Sequence, residues 1–362
     1  MKKMFLFAAF AGVALASCTT DEEIFAPVNQ GNEIEFVAAD YVHQTRANEH
    51  ELNLPFTNKN YSVWAWKTKT ANAHMKDVAV TYDAEKKTNT VEYYWPDEAL
   101  DFAAVSPASD DRIKVKRDGA STTITYTFKD EDGYRNNQDN LMHADFVTAS
   151  QTTVALGFRH ALAKLNVVVN QNHKAVNDDR ANNVNERDIV DYQVIVKKLS
   201  IEKFDCYGTY TVTSGEYDPA TSNAQNTADN VWTDTSGDAN WTIINTPTSL
   251  VKDTVDFEDK NFEATYMTNG FVMPQKLSDD VVVNIDYDIV TKFKSGATST
   301  TNRKKYVNLN TIKNSSDVAI ANWYTNKVIT YTFTINPQYD LTPITFSATE
   351  EEWGTQDGAH TF

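Results

Sequence analysis

Cysteine is scarce in this chain: Cys18 and Cys206 are the only two among 362 residues. If Cys18 is acylated, Cys206 has no partner for an intrachain disulfide. One interpretation of Cys206 is a thiol nucleophile. We prefer a small, half-buried strand residue, because free cysteine packs as a small hydrophobe.

Recognisable catalytic and metal-binding motifs are also missing. The sequence contains no Gly-x-Ser-x-Gly, no His-Glu-x-x-His, no Cys-x-x-Cys and no phosphate-binding glycine loop. Its seven histidines are scattered, and none pairs with another at metal-ligand spacing. His160, at the entry to a strand, is expected to make a structural hydrogen bond rather than to act as a ligand or general base. We therefore predict no enzymatic activity, no cofactor and no metal.

Basic residues are outnumbered by acidic residues. The chain has 33 Lys and Arg against 50 Asp and Glu, which gives a formal net charge of -17. Nucleic acid requires clustered basic residues, so that class of partner is excluded. After the N-terminal segment, no apolar run is long enough for a transmembrane helix. The acidic balance suits a solvated surface outside the cell.

The strongly apolar segment lies at the N-terminus. Two lysines precede an apolar run from Met4 to Leu15, as in a bacterial secretory signal. The ending Leu15-Ala16-Ser17-Cys18 resembles the lipoprotein class of signal, in which the cut falls between Ser17 and Cys18 and the cysteine thiol receives a diacylglycerol. An ordinary signal cut at the same small residues is the alternative. We predict a signal peptide over residues 1–17 and lipidation, with acyl chains such as palmitate, at Cys18.

Period-two alternation of apolar and polar residues dominates the rest of the chain. It puts apolar groups on one face of a sheet and hydroxyls or carboxylates on the other. No long stretch shows a helical stripe, so we predict an all-β fold of two tandem antiparallel β-sandwich domains. The clearest apolar series are Ile124, Tyr126 and Phe128; Val281, Val283, Ile285, Tyr287 and Ile289; and Ile329, Tyr331, Phe333 and Ile335.

Two polar segments interrupt this rhythm. Residues 170–188 are rich in Asn and Asp and lie between two strand patterns, so we predict the domain boundary there. This gives an N-terminal domain over residues 47–175 and a C-terminal domain over residues 176–362. Residues 214–240 are rich in Ser, Thr, Asn and Asp, and we expect a long surface loop.

Three groups of residues allow a functional and a structural interpretation. Asp130-Glu131-Asp132-Gly133 faintly resembles a calcium loop, but its glycine is misplaced and a tight turn is preferred. Asp286 and Asp288 resemble the paired acids of a glycosidase, but their alternation within one strand fits a solvated sheet face better. Trp64 and Trp66 share a strand face; one interpretation is stacking on a sugar, and we prefer core or cross-strand positions.

A series of short segments, each weak alone, follows a fixed order through the chain. The most specific is Phe158-Arg159-His160-Ala161-Leu162-Ala163-Lys164-Leu165. Taken together, the segments resemble the fimbrillin family, the type V pilins and fimbrillin-like lipoproteins of Bacteroidales-type bacteria. The others are the box at Cys18, Ile34-Glu35-Phe36, Thr45-Arg46-Ala47, Tyr94-Trp95-Pro96, Phe102 to Pro107, Gln138 to Met142, Val272 to Gln275, Trp323 to Tyr331, and Trp353.

The resemblance implies transthyretin-like sandwiches and display on the cell outer membrane as part of a fimbrium. It implies that an arginine-specific protease removes an N-terminal strand, and that a strand from a neighbouring subunit fills the resulting groove. Here residues 18–46 would be the lipidated tether and removable strand, and the cut would fall between Arg46 and Ala47. Ile34, Phe36 and Ala38 would face the groove.

The subunit's role stays open at this point. A stalk subunit would donate a C-terminal segment, and the candidate is Leu341 to Trp353, in which Ile344, Phe346 and Ala348 alternate. The same segment is alternatively the last strand of its own domain, as in a tip or accessory subunit. Expected partners are other fimbrial subunits, the outer membrane through the lipid, and a host or bacterial surface ligand. The competing function is a non-polymerising surface lipoprotein that binds glycans or host ligands.

Overall fold

The computed structural model describes residues 32–41, 52–55, 60–83, 88–129, 141–171, 189–215, 232–250, 265–336 and 344–352. Within these ranges strands predominate, and the one helical element is a 3-10 turn at Leu309–Thr311. The all-β prediction is confirmed. No helix with the length and apolar character of a membrane span occurs in the described part of the chain.

The strands are numbered in chain order. The first twelve are β1 (Glu33–Tyr41), β2 (Leu52–Pro55), β3 (Tyr61–Lys67), β4 (Ala73–Asp83), β5 (Thr88–Tyr94), β6 (Leu100–Ser106), β7 (Ile113–Asp118), β8 (Ser121–Lys129), β9 (Met142–Ala144), β10 (Val147–Ala149), β11 (Val154–His160) and β12 (Ala163–Gln171). The remainder are β13 (Ile189–Phe204), β14 (Tyr207–Thr213), β15 (Trp232–Ser236), β16 (Ala239–Ile244), β17 (Thr248–Ser249), β18 (Thr265–Val272), β19 (Gln275–Lys276), β20 (Val282–Phe293), β21 (Thr298–Asn308), β22 (Asn322–Trp323), β23 (Lys327–Ile335) and β24 (Ile344–Glu352).

The N-terminal strands form a sheet that closes on itself. Its order is β10-β6-β3-β4-β5-β1-β11-β9, and β9 also pairs with β6. We call the closed circuit β6-β3-β4-β5-β1-β11-β9 the N-terminal ring. It surrounds a hydrophobic core to which alternate residues of its strands contribute, including Ile34, Phe36, Tyr61, Val63, Leu100, Phe102, Val154, Leu156 and Phe158.

A second core draws most of its residues from the C-terminal strands. One sheet has the order β18-β12-β23-β24, and another has the order β16-β13-β20-β21 with β17 also on β13. Buried residues of both sheets belong to one hydrophobic cluster, as expected for a sandwich. Alternation works as predicted in β23, where Ile329, Tyr331, Phe333 and Ile335 are buried and the threonines between them are partly exposed.

Two of the strand pairings differ from the antiparallel expectation. β1 runs parallel to β11, and β12 runs parallel to β23. Parallel neighbours require a long connection, and more than 100 residues separate the members of each pair in the chain. Local alternation predicted these strands but carries no information about such distant partners.

Two strands from each half of the chain form a further sheet, which we call the composite sheet. Its order is β15-β14-β8-β7, so a hairpin from the first half pairs with strands from the second. β8 and β14 stay in register from Lys129↔Tyr207 to Thr123↔Thr213. The backbone N–H of Thr122 also donates to the Ser214 hydroxyl at 2.7 Å. The two halves are therefore joined by backbone hydrogen bonds.

Along the chain, the strands begin to contribute to the second core before the polar segment 170–188 is reached. β12 is bonded to β18 and β23, so Ala163–Gln171 already belongs to the C-terminal sheets. The ranges 47–175 and 176–362 stay a prediction as separately folding units. The expected loop over 214–240 is wrong at its C-terminal end, because Trp232–Ser236 is a strand of the composite sheet.

Candidate functional site: an N-terminal strand inside a closed sheet

β1 occupies a central position in the N-terminal ring. On one side its first half pairs antiparallel with β5, with Phe36 opposite Asn89, and its second half pairs with β2. On the other side it pairs in parallel with β11, from Phe36↔Val154 to Asp40↔Phe158. We call the space between β5 and β2 on one side and β11 on the other the acceptor groove.

Three side chains of β1 point into the N-terminal core. Ile34 and Phe36 are completely buried, and Ala38 is 1% exposed. The intervening Glu33, Glu35 and Val37 are exposed. This is the orientation that alternation predicts, and the expectation that Ile34, Phe36 and Ala38 face inward is met.

Aromatic side chains line the inner end of the groove. The Phe36 ring meets the Phe102 ring edge-on with centroids 5.8 Å apart, and the Trp95 ring also meets Phe102 edge-on at the same centroid distance. Buried Asn89 donates from its amide to the Phe36 carbonyl at 3.5 Å, which ties β5 to β1 by a side chain as well. Sequence reasoning missed these partners, although the alternating Val154, Leu156 and Phe158 of β11 carried a signal for one wall.

The predicted processing sites lie outside the described residues. Arg46 and Ala47 fall in residues 42–51, the connection between β1 and β2, whose ends are held together by the pairing Tyr41↔Leu52. Ser17 and Cys18 fall in residues 1–31. Cleavage, lipidation and the signal peptide therefore stay predictions.

The donor candidate β24 is an edge strand of a C-terminal sheet. It pairs antiparallel with β23 along its whole length, from Lys327↔Glu352 to Ile335↔Ile344. Ile344 and Ala348 are buried, and the half-buried Phe346 meets Phe333 with ring centroids 5.4 Å apart. In this state β24 is the last strand of its own sheet, while Leu341 and Trp353 lie outside the described residues.

Sugar stacking by Trp64 and Trp66 is wrong. Their side chains are 9% and 5% exposed and belong to the second core, while their neighbours Val63 and Ala65 belong to the first. β3 is thus buried on both faces. Arg117, ion-paired with Asp101 at 2.5 Å, lies 5.5 Å from the Trp66 ring centre.

Asp286 and Asp288 form part of a surface ion network. Lys197 lies 2.9 Å from Asp288 and 3.4 Å from Asp286, and the Asn302 amide donates to both carboxylates. Burial alone would raise the pKa of Asp286, but hydrogen bonds from Asn302 and Lys304 and the charge of Lys197 hold that pKa below its ordinary value. These charges are already balanced, which favours the solvated-sheet interpretation over paired catalytic acids.

The remaining candidates take structural positions. Cys206 is buried, between β13 and β14 rather than within a strand. His160 is buried and its backbone N–H donates to the Asn326 side chain at 3.3 Å. Residues 130–133 lie outside the described part of the chain, and within that part no three His, Cys, Asp or Glu side chains are grouped as metal ligands.

Comparisons with known proteins agree with this architecture. A family model described as fimbrillin-like matches residues 45–353. A fimbrial protein from Bacteroides vulgatus is 14% identical, with 88% of this chain and 99% of that chain covered and a TM-score of 0.56. A candidate cell adhesion protein from Bacteroides uniformis is 15% identical, with coverage of 89% and 99% and a TM-score of 0.42. No curated protein matches the chain. At these identities the first likeness supports the fold alone.

Proposed function

Because the chain belongs to the fimbrillin-like family, as its motifs predicted, we propose that it is a structural or adhesive subunit of a cell-surface fimbrium. Its partners are other fimbrial subunits. Assembly proceeds by strand exchange: a protease cuts after Arg46, β1 leaves the acceptor groove, and a strand of a neighbouring subunit replaces it.

The position of β1 is the observation that carries this proposal. β1 is a fully integrated member of a closed ring, yet its one covalent connection to the other described strands is residues 42–51. A single cut there turns an internal strand into a bound peptide. A strand with other strands both before and after it in the chain stays connected at one end after a single cut, so one cut does not detach it.

The energetics favour exchange over simple loss of β1. Burying Ile34 and Phe36 stabilises the ring by about 1.5–3 kcal/mol each, in addition to the backbone ladders on both sides. An empty groove would expose an apolar floor and the unpaired backbone of β5 and β11, which favours capture of a new strand. A replacement strand that again buries apolar side chains and pairs with β5 and β11 removes the cost of the empty groove.

The order of features along the chain gives the cut a second effect. Cys18, the predicted lipid site, precedes β1, and Arg46 follows it. A lipidated precursor is held at the outer membrane through β1. Cleavage after Arg46, followed by loss of β1, therefore frees the body of the subunit from the anchor and opens its groove at the same time.

The complete pairing of β24 with β23 favours a second candidate function. A subunit that keeps β24 in its own sheet accepts a strand but donates none. Such a subunit ends a fimbrium, or it remains a non-polymerising surface lipoprotein that binds a ligand.

The test is cleavage of the purified full chain with an arginine-specific protease. We expect a new N-terminus at Ala47 and growth of oligomers, measured by N-terminal sequencing and light scattering. Arg46→Lys is the matched control, since it keeps the charge and resists this protease. Oligomers from the uncut Arg46→Lys protein would refute cleavage-triggered exchange, and cut monomers that accept a β24 peptide without growing would identify the terminal subunit.

A further inference from the structure

A polar side chain is buried in the wall of the acceptor groove. Asn89 of β5 is 3% exposed and lies opposite Phe36 of β1. Its amide oxygen Oδ1 is shielded from water and has no hydrogen-bond partner in the described part of the chain. An unpaired buried acceptor destabilises a fold, because it has lost its bonds to water and gained none in return. Asn89 therefore makes the occupied groove less stable than an apolar residue of the same shape would.

The hydrogen bond from Asn89 to β1 does little to offset this cost. The amide nitrogen donates to the Phe36 carbonyl at 3.5 Å, whereas such bonds in proteins are usually about 2.9–3.0 Å long. The acceptor is a main-chain oxygen, which every residue carries. Asn89 thus holds β1 weakly and does not recognise its side chains.

The backbone pairing of β1 is also weaker on the side of Asn89. Five consecutive pairs join β1 to β11 without an irregularity. On the opposite side the register shifts once against β5 and once against β2. Ala39 lies opposite Pro55 there, and proline has no N–H to donate. One edge of β1 is therefore continuously paired, while the edge that faces Asn89 is interrupted.

We propose that Asn89 promotes release of the strand in the acceptor groove, because it lowers the free energy of the open groove relative to the occupied groove. With β1 in place, Oδ1 is buried and unpaired. When β1 leaves, water reaches both polar atoms of the amide and forms the hydrogen bonds that the closed ring lacks. This role rests on the proposed strand exchange and adds what regulates the departure of β1.

The interrupted edge sets the order of opening. Fewer backbone hydrogen bonds join β1 to β5 and β2 than a continuous ladder would supply, so this edge separates first. Water then reaches Asn89 while β11 still holds β1. The amide is hydrated early in the process, before the apolar floor of the groove is fully exposed, and it offsets part of the cost of the remaining steps.

Hydrogen exchange of the uncut full chain tests this role. Opening of β1 exposes its amides, so mass spectrometry of peptides containing residues 33–41 measures how often the groove opens. Asn89→Leu keeps the approximate shape of the side chain without the amide, and we expect it to slow exchange in β1 roughly tenfold. Asn89→Asp should accelerate exchange, because a carboxylate gains more from hydration than an amide does. Residues 327–335 of β23 report on the C-terminal sheet and should change far less in both variants.

Thr325→Val is the matched control. Thr325 lies between β22 and β23 and is 9% exposed, and its hydroxyl oxygen is likewise buried with no partner among the described residues. Valine has nearly the same shape as threonine, so this variant removes an unpaired oxygen from the C-terminal half of the chain. The exchange of residues 33–41 should stay at the wild-type rate.

Two results would overturn the role of Asn89. Equal slowing of β1 and β23 in Asn89→Leu would mean that the amide weakens the whole fold and not the groove alone. Unchanged or faster exchange of β1 in that variant would mean that the amide holds the strand in place. Because the measurement needs no cleavage, a chain that resists cutting after Arg46 would count against the proposed function and not against this role.

Discussion

The Tyr210 hydroxyl lies 2.7 Å from Nε2 of His143, and this hydrogen bond joins the two halves of the chain inside the protein. His143 belongs to β9 of the N-terminal ring and Tyr210 to β14 of the composite sheet, and both are 2% exposed. Charged groups near the imidazole are Asp145 and Arg159, which are ion-paired with each other at 2.7 Å. The junction between the halves thus contains a titratable group sealed from water.

Stability is expected to fall in mildly acidic solution because of His143. Burial lowers the pKa of His143 to about 4, while an unfolded histidine titrates near 6.5. The unfolded chain therefore binds the extra proton first. The contribution of neutral His143 is fully present above pH 6.5 and is lost as the pH falls towards 4, by up to about 3 kcal/mol.

Urea unfolding of the wild type and of His143→Gln at several pH values measures this effect. The Gln variant keeps a hydrogen-bonding side chain without titrating, so its free energy of unfolding should depend less on pH between 4 and 6.5. Parallel curves for the two proteins would show that another group controls the acid response.

Replacing Phe36 should destabilise the uncut protein strongly. The ring is completely buried against Phe102, so Phe36→Ala leaves a cavity and is expected to cost about 3–5 kcal/mol. Val37→Ala is the matched control on the same strand, because Val37 is 46% exposed and should cost less than about 1 kcal/mol. Chemical denaturation measures both, and equal losses would contradict the placement of β1.

The ion pair between Arg117 and Asp101, which lies beside the Trp66 ring, is expected to stabilise the protein. Arg117→Met keeps the apolar stem but leaves Asp101, which also accepts a hydrogen bond from Thr148 at 2.6 Å, without its cation. We expect a loss of about 2–4 kcal/mol, since the Arg117 side chain is 4% exposed and Asp101 is 18% exposed.

Lys67→Met is the control for that measurement. Lys67 pairs with Glu98 at 3.8 Å, and the two side chains are 42% and 62% exposed, so its removal should cost about 0–1 kcal/mol. A large loss from this variant would mean that charge on β3, rather than burial of the Arg117 pair, controls stability.

Local pattern predicted many of the strands and the orientation of their side chains, although Trp232–Ser236 was expected to be loop. The alternation of Ile34, Phe36 and Ala38 gave the inward face of β1 correctly, and the same logic held in β8 and β23. These successes share a cause: when one face of a sheet is buried, apolar and polar residues alternate along the sequence of each strand.

Local pattern was less informative where a second layer covers the other face of a sheet. Trp64 and Trp66 lie on the outward side of the ring, and only the later C-terminal core buries them. The composite sheet was likewise missed, because the pairing of β8 with β14 joins residues about 80 positions apart and has no local signature. The polar segment 170–188 likewise gives no indication that strands of the two halves share a sheet.

The composite sheet also bears on how a filament would transmit force. In a fibre built by the proposed exchange, tension enters each subunit through the ring that grips the incoming strand and leaves through β24 in the C-terminal sheet. Between these points the load is shared by the aligned hydrogen bonds of β8 and β14 rather than carried by the covalent chain alone. Stretching the fibre would therefore strain the whole subunit as a single mechanical element, and its extensibility would depend on when this sheet begins to shear.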